Sequence, residues 1–311
     1  MNFNIRHGDD KVLNTAKTLT PANVLRNFSN SAGRMKQAFE NFDSERKLQA
    51  YKIRNFTPNV EFTYERNHYI VKTVSNGEEL EQCLKLRYNV FHKEYMNKKR
   101  TVGVDVDKLD TVCDHLMIFD KRSNSVIGTY RLNCSKFTDV FYSTNEFNMD
   151  TVLNIPGTKL ELGRACIDKD HRNGVIIALL WRGIAEYIQK TGTKVLFGCG
   201  SVKTMDPLEV GLITKHLIDT GSLTEEYGVA PTKKYTMKQL GGVLEYIEAN
   251  PYVYNKEEVA KKIPALLGSY FKAGAKLAGE PAIDREFHCI DFLTVLKIED
   301  MSPAFKGKYN L

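Results

Sequence analysis

Charged residues recur inside stretches that are otherwise apolar. Arg87 ends Leu84-Lys85-Leu86-Arg87, Arg131 sits in Gly128-Thr129-Tyr130-Arg131-Leu132, and Glu161 and Arg164 sit in Leu160-Glu161-Leu162-Gly163-Arg164-Ala165-Cys166-Ile167. Asp105, Asp107, Asp110 and Asp114 crowd the polar stretch after the first of these. A buried charge is unfavourable unless it is paired. Several on separate elements therefore point to one shared polar cluster. Such a cluster either lines a reactive cleft or is an ion-pair network that only holds the fold. Physics alone weighs the two evenly. A second chemical signal follows Ile167. Asp168 to Gly174 form a polar turn that leads into the apolar run Val175 to Trp181. The free N–H groups at the start of a helix there are a natural seat for a phosphate.

These residues need a strand, a turn and a helix to hold them. Leu160 and Leu162 face one way and Glu161 the other, as the period of two requires. Gly163 breaks the alternation and predicts a bulge at that position. The extra residue brings Glu161 and Arg164, three apart, into one cleft. Around this unit the sequence predicts strands at Tyr69–Val74, His115–Asp120, Val126–Leu132, Lys194–Cys199 and Phe287–Ile298. Ser75-Asn76-Gly77-Glu78 reads as a capping box. Helices are expected after that box, over Pro207–Leu217 and over Pro264–Ala278, with residues 222–256 irregular. His115 and Asp120 spell H-x4-D, but an offset of five on a strand puts them on opposite faces. Cys199 and Ser201 have no visible base partner, and a packing role is expected.

Residues 1–65 read as an extension. After Thr20-Pro21, an N-cap and first helical position, Val24, Phe28, Ala32, Met35, Phe39 and Phe42 fall on one face. Arg26, Arg34 and Lys36 accompany them. This helix, over about residues 22–43, either docks on an anionic membrane or packs on its own domain. The longest apolar run is too short to span a bilayer. The N-terminus has no signal-peptide pattern, and a cytoplasmic protein is expected. The six cysteines lack any C-x-x-C pair and read as reduced core thiols. The net charge of +6 suits anionic partners, an acidic carrier protein or a membrane surface. No nucleic-acid motif is present.

The strand, turn and helix around residues 160–181 resemble the central motif of the GNAT N-acyltransferase fold. The usual turn signature, Arg/Gln-x-x-Gly-x-Gly/Ala, is met well only by Gly174; His171 and Ile176 occupy its other slots. That departure suits a donor with one phosphodiester, the phosphopantetheine arm of acyl carrier protein. The order of motifs is similar to that of acyl-homoserine-lactone synthases. It fits better the ornithine–acyl carrier protein N-acyltransferases, often labelled hemolysin-like. Shared features include Leu86-Arg87-Tyr88-x-Val90-Phe91, Cys113-Asp114-His115-Leu116, Glu146-Phe147, the Glu-Leu-Gly-Arg run, and Asp284-x-x-Phe287 leading to Asp291. The resemblance spans about residues 68–298.

The resemblance implies an α/β fold. A GNAT-like mixed sheet has helices on both faces, an N-terminal helical extension and a C-terminal addition. The acyltransferase domain would cover residues 66–311, with 206–311 specific to the family. The implied reaction moves a 3-hydroxylated fatty acyl group from acyl carrier protein to the α-amine of an amino acid, in aminolipid synthesis. Ornithine leads as the acceptor; glycine, serine and lysine stay open. Glu161 is the expected base, direct or through water, with Arg131 and Arg164 beside it as candidates for the acceptor's carboxylate. Arg87, Asp107, Asp110 and Asp114 are expected at the acceptor, the aspartates toward a side-chain ammonium. Cys166, Ile167 and Asp168 are expected to offer amides to the oxyanion, and Arg172, Asn173 and Gly174 to seat the phosphate. No bound cofactor and no metal is expected; the acyl-phosphopantetheine is a co-substrate. A lactone synthase and an inactive acyl-binding module are the alternatives.

Overall fold

The computed structural model describes residues 45–97 and 103–311. The chain divides into two units, residues 1–50 and residues 51–311. The amphipathic helix expected over residues 22–43 lies outside the described residues. The sheet and the helices packed on it belong to the second unit.

In chain order come β1 (Thr63–Arg66), β2 (Tyr69–Thr73), α1 (Gly77–Arg87), β3 (Asp114–Asp120), β4 (Ser125–Cys134) and β5 (Phe147–Asn148). Then follow β6 (Thr158–Ile167), α2 (Gly174–Thr191), β7 (Thr193–Val202), α3 (Pro207–Asp219), β8 (Leu223–Thr224) and β9 (Ala230–Pro231). The chain ends with α4 (Leu240–Ala249), α5 (Ala265–Ala273), β10 (Lys276–Asp284), β11 (Cys289–Lys297) and α6 (Pro303–Tyr309). Nine strands form one mixed sheet, in the order β1-β2-β3-β4-β6-β7-β11-β10-β8. Only the β6–β7 and β10–β8 pairs in it are parallel.

Strand alternation puts helices on both faces. Leu116 and Ile118 of β3 join the core under α2, with Ile176, Leu180 and Ile184. Met117, between them, joins the core under α1, with Leu80, Cys83 and Leu84. Helix α1 starts at Asn76, whose side chain accepts from the N–H groups of Glu78 and Glu79. The expected Ser75 box is replaced by Glu79, whose carboxylate accepts the Ser75 N–H at 2.8 Å. Past Arg87 the helix widens into a π-helical segment, Tyr88–Tyr95. Helix α2 starts at Asn173 and stops at Gly192, whose φ of +64° suits glycine.

The C-terminal part departs from expectation. Helix α5 ends at Ala273, because Gly274 takes φ +105° and closes it. A strand, β10, follows where the helix was expected to continue. Gly279, at φ +67°, and Pro281 interrupt β10, and its register with β11 shifts between Ala278 and Ala282. An interrupted strand shows no clean alternation in sequence. Helix α4 and two short strands occupy part of the stretch expected to be irregular.

The feature that makes the site is a fork. β6 and β7 are paired only from Thr158–Glu161 against Thr193–Phe197, although they run on to Ile167 and Val202. Beyond Glu161, β6 stays with β4 and β7 with β11. The two facing edges are left open. Gly198 sits at the fork, where a Cβ would lie 2.2 Å from the Leu162 carbonyl oxygen. Only glycine permits that approach.

Candidate active site

The fork opens into a cleft of about 870 Å³. Its walls are the free edges of β6 and β7, the start of α2, and residues from α5, β10, β11 and α6. The bulge expected at Gly163 lies one residue on. Thr129 pairs with Cys166 and Arg131 with Gly163, so Tyr130 faces both Arg164 and Ala165. Arg164 carries the positive φ, +51°. The consequence for the cleft is the expected one. Tyr142 donates its N–H to Glu161 at 2.9 Å and its ring lies under the Arg164 guanidinium at 5.3 Å, so both charged groups meet one residue.

Glu161 is buried and fully engaged. Oε1 accepts from the Ser143 N–H and hydroxyl, both at 2.7 Å; Oε2 accepts from the Tyr142 N–H at 2.9 Å and Asn133 Nδ2 at 3.0 Å. A carboxylate offers about four lone-pair sites. All are used, which ties the loop over residues 141–146 to β6 and leaves no free position for a substrate proton.

Arg87, Arg131 and Arg164 meet Asp105, Asp107 and Asp110 in one network. Arg87 Nη1 is 2.6 Å from Asp110 and its Nη2 2.7 Å from Asp105. Arg131 Nη1 reaches Asp107 at 2.6 Å and Asp110 at 3.2 Å. Arg164 Nη2 reaches Asp107 at 3.1 Å. His92 Nε2 lies 3.0 Å from Asp105, and His115 Nε2 2.9 Å from the Asp110 carbonyl. Burial alone would raise the Asp105 carboxyl, but Arg87 and Arg164 outweigh it and hold it down at about 2. Asp110 is lowered by Arg87 and Arg131 against the same burial. These charges satisfy each other, and Arg87 and Asp110 have almost no exposed surface. Arg164 differs. Its side chain is 15% exposed, it lines the cleft, and its Nε has no hydrogen-bond partner among the described residues.

Asp114 is not brought to the cleft. It accepts from the Asn59 N–H at 2.7 Å and the Tyr187 hydroxyl at 2.7 Å. His115 and Asp120 form no pair: His115 turns to Asp110, while Asp120 lies 3.9 Å from His68 and 3.7 Å from His171.

Cys166, Ile167, Arg172, Asn173 and Gly174 line the cleft; Asp168 does not. Asp168 spends its N–H on the Ile127 carbonyl at 2.8 Å. By the alternation of a strand, the Ile167 N–H then points to the open edge. Asn173 Oδ1 takes the N–H groups of Val175 and Ile176. Arg172 pairs with Glu94 at 2.5 Å, near the surface.

A second carboxylate group is formed by acids of the shared motifs. Glu146, Asp284 and Asp291 come from a loop, β10 and β11, and all are buried. Asp284, Cys289 and Asp291 bring their ligand-type atoms within 4.8 Å of one another, and all three line the cleft. Ser201 donates to Asp291 Oδ1 at 2.5 Å, and Cys199 donates to Glu146 Oε2 at 3.5 Å. Burial raises the Glu146 carboxyl and the charge of Asp291 raises it further; burial and Asp284 raise Asp291. Burial likewise pushes the Cys199 thiol up, which suits a packed hydrogen-bond donor and not a nucleophile. Nothing in the sequence marks these acids as unpaired, because a missing partner is a long-range property. Their spacing in the shared motifs was the available signal.

Residues 86–182 match the family described as Acetyltransferase (GNAT) domain. The L-ornithine N(alpha)-acyltransferase of Rhizobium meliloti (strain 1021) is 29% identical over 254 residues, covering 75% of this chain and 81% of that protein. Its namesake in Brucella abortus (strain 2308) is 27% identical, covering 77% and 88%. A solved CoA-dependent acyl-homoserine lactone synthase aligns at 16% identity and TM-score 0.41, over 75% of this chain and 83% of that one. Residues 86–182 thus resemble a GNAT acyltransferase domain, on a GNAT-like mixed sheet. Within that class the chain is similar over most of its length to the L-ornithine N(alpha)-acyltransferases, as the order of its motifs implies. Among the described residues no helix is long and apolar enough to cross a membrane.

Proposed function

We propose that the protein moves a 3-hydroxylated fatty acyl group from acyl carrier protein to the α-amine of ornithine, the first acylation toward an aminolipid. The observation that carries this reading is the fork. It joins an open main-chain edge to an apolar chamber, walled by Trp181, Leu266, Tyr270 and Phe305, and to the Arg164 guanidinium. An extended pantetheine arm carries amides that pair with an open strand edge. The acyl chain fills the chamber, and Arg164 holds the acceptor's carboxylate.

The amine lone pair attacks the thioester carbonyl, the carbon–sulfur bond breaks, and the thiol leaves with a proton. The Ile167 N–H stabilises the developing oxyanion. Glu161, with every lone pair engaged, acts by positioning Tyr142 and Ser143 and not as the direct base. Lys169 and Arg172 offer positive charge to an acidic carrier beside the α2 turn. The sequence pattern over residues 22–43, apolar residues at helical spacing accompanied by Arg26, Arg34 and Lys36, supports a peripheral contact with an anionic membrane, on the cytoplasmic side.

The test is direct. Purified protein with 3-hydroxyacyl carrier protein and L-ornithine should release free carrier thiol and an equal amount of Nα-acylornithine by mass spectrometry. Release of no thiol, or a lactone from S-adenosylmethionine instead, overturns the reading.

A further inference from the structure

Glu146 and Asp291 are held by neighbouring residues on one face of β7: Cys199 donates to Glu146 Oε2 at 3.5 Å, and Ser201, two residues on, donates to Asp291 Oδ1 at 2.5 Å. Two neighbouring buried carboxylates need a proton or a cation to offset their charge. Asp284 adds a third buried carboxyl to the group. Among the described residues no Lys or Arg nitrogen forms an ion pair with any of the three. Independently, Oε1 of the fully buried Glu146 has no hydrogen-bond partner among the described residues. An unmatched buried acceptor of this kind is strongly unfavourable unless something arrives to satisfy it.

The position suggests what arrives. Phe287 links the two ends of the polar site. Its ring lies under Arg164 at 5.1 Å, and its N–H donates to Asp284 Oδ1 at 3.1 Å. The guanidinium and the acid group are therefore about one phenylalanine apart. That is the scale of a short amino acid with a carboxylate at one end and an ammonium at the other. Asp107, Asp110 and Asp114, expected to meet this ammonium, already have partners.

We propose that Glu146, Asp284 and Asp291 form the pocket for the side-chain ammonium of a diamino-acid acceptor. This assignment rests on the acyl-transfer reading for its place in the reaction, and it stands on geometry for the binding itself. The ammonium has three donors for Asp284 and Asp291 on the cleft wall and Glu146 beside them, while Ser201 and Cys289 donate to Asp291. The Cys289 thiol, pushed up by burial and then by Asp291, is a donor here. That arrangement fits an ammonium better than a metal ion, which would need the thiolate.

Binding separates this inference from the reaction. Calorimetry on the full chain should show L-ornithine binding about 10- to 100-fold more tightly than L-norleucine, in which a methyl replaces the ammonium. Asp291→Asn, which keeps an acceptor for Ser201, should remove most of that preference. Equal affinity for the two amino acids overturns the proposal, as does an ornithine preference untouched by Asp291→Asn. So does Asp291-dependent binding of Mn²⁺ with no ornithine preference. If Asp291→Asn fails to fold, the ratio in the unaltered protein decides alone. Failure of the acyl-transfer reading shows differently: ornithine still binds selectively, but acyl carrier protein releases no thiol.

Discussion

Asp105 and Asp110 are as deeply buried as Glu146 and Asp291, yet their environments act in opposite directions. The first pair meets arginines at 2.6 to 2.7 Å and is held below the ordinary carboxyl range. The second pair meets hydroxyl, thiol and carboxyl groups and is held above it. Burial is common to both, so the partner decides the sign. A satisfied ionic network stabilises the fold that contains it. An unsatisfied one is unfavourable in the free protein, and it has a use only when a cation arrives. The contrast therefore separates scaffold from recognition.

The sharpest break in that contrast comes from Arg87→Met. Asp105 and Asp110 would lose their main counter-ion, and removing one partner of a buried pair is strongly destabilising, by about 3–5 kcal/mol. Urea unfolding should show that loss before any assay of activity. A loss below 1 kcal/mol would mean the network is not what holds this face of the sheet.

Glu161 is a third kind of buried carboxylate, satisfied by neutral donors. Glu161→Gln should lower transfer by about a hundredfold, the size expected when a group that positions the site is displaced by about 1 Å. The pH dependence separates the roles. Displacement of the loop over residues 141–146 lowers the rate at every pH and leaves the shape of the profile unchanged. Loss of a direct base removes the acid limb.

The opposite shifts also predict a stability profile. A carboxyl lowered by folding adds stability above its unfolded pKa and loses it as pH falls through the folded value. A raised carboxyl opposes folding when ionised, and that opposition fades as pH falls through its folded value. The melting temperature of the free protein should therefore rise as pH drops from neutrality toward about 5, then fall below about 4. A monotonic decline from pH 7 downward would erase the distinction between the clusters.

Surface charge supplies the smallest effect. Lys169→Ala with Arg172→Ala removes the exposed pair with Glu94 and should change stability by less than about 1 kcal/mol. The KM for acyl carrier protein should rise and its salt dependence weaken. An unchanged KM with reduced stability would reverse the assignment.

Much of the site was readable from local sequence. The alternation around Glu161 and the break near Gly163 foretold a bulge that brings Glu161 and Arg164 together; it lies at Arg164 because that residue takes the positive φ. Repeated charges in apolar elements foretold the arginine–aspartate network, and the structure shows it largely self-satisfied. Strand β10 was hidden by Gly279 and Pro281, which break its alternation. The full engagement of Glu161 was hidden because its four donors come from residues 18 to 28 positions away. The unpaired acids were visible as residues but not as a group, since Glu146 and Asp291 are joined only by the fold.

One measurement tests the contrast most directly: the unfolding free energies of Asp110→Asn and Asp291→Asn in the free protein at neutral pH. Asp110→Asn should lose about 3–5 kcal/mol, because it strips a counter-charge from buried Arg87 and Arg131. Asp291→Asn should be neutral or more stable, because it removes a buried charge that has no cation. Equal losses in the two variants would contradict the account.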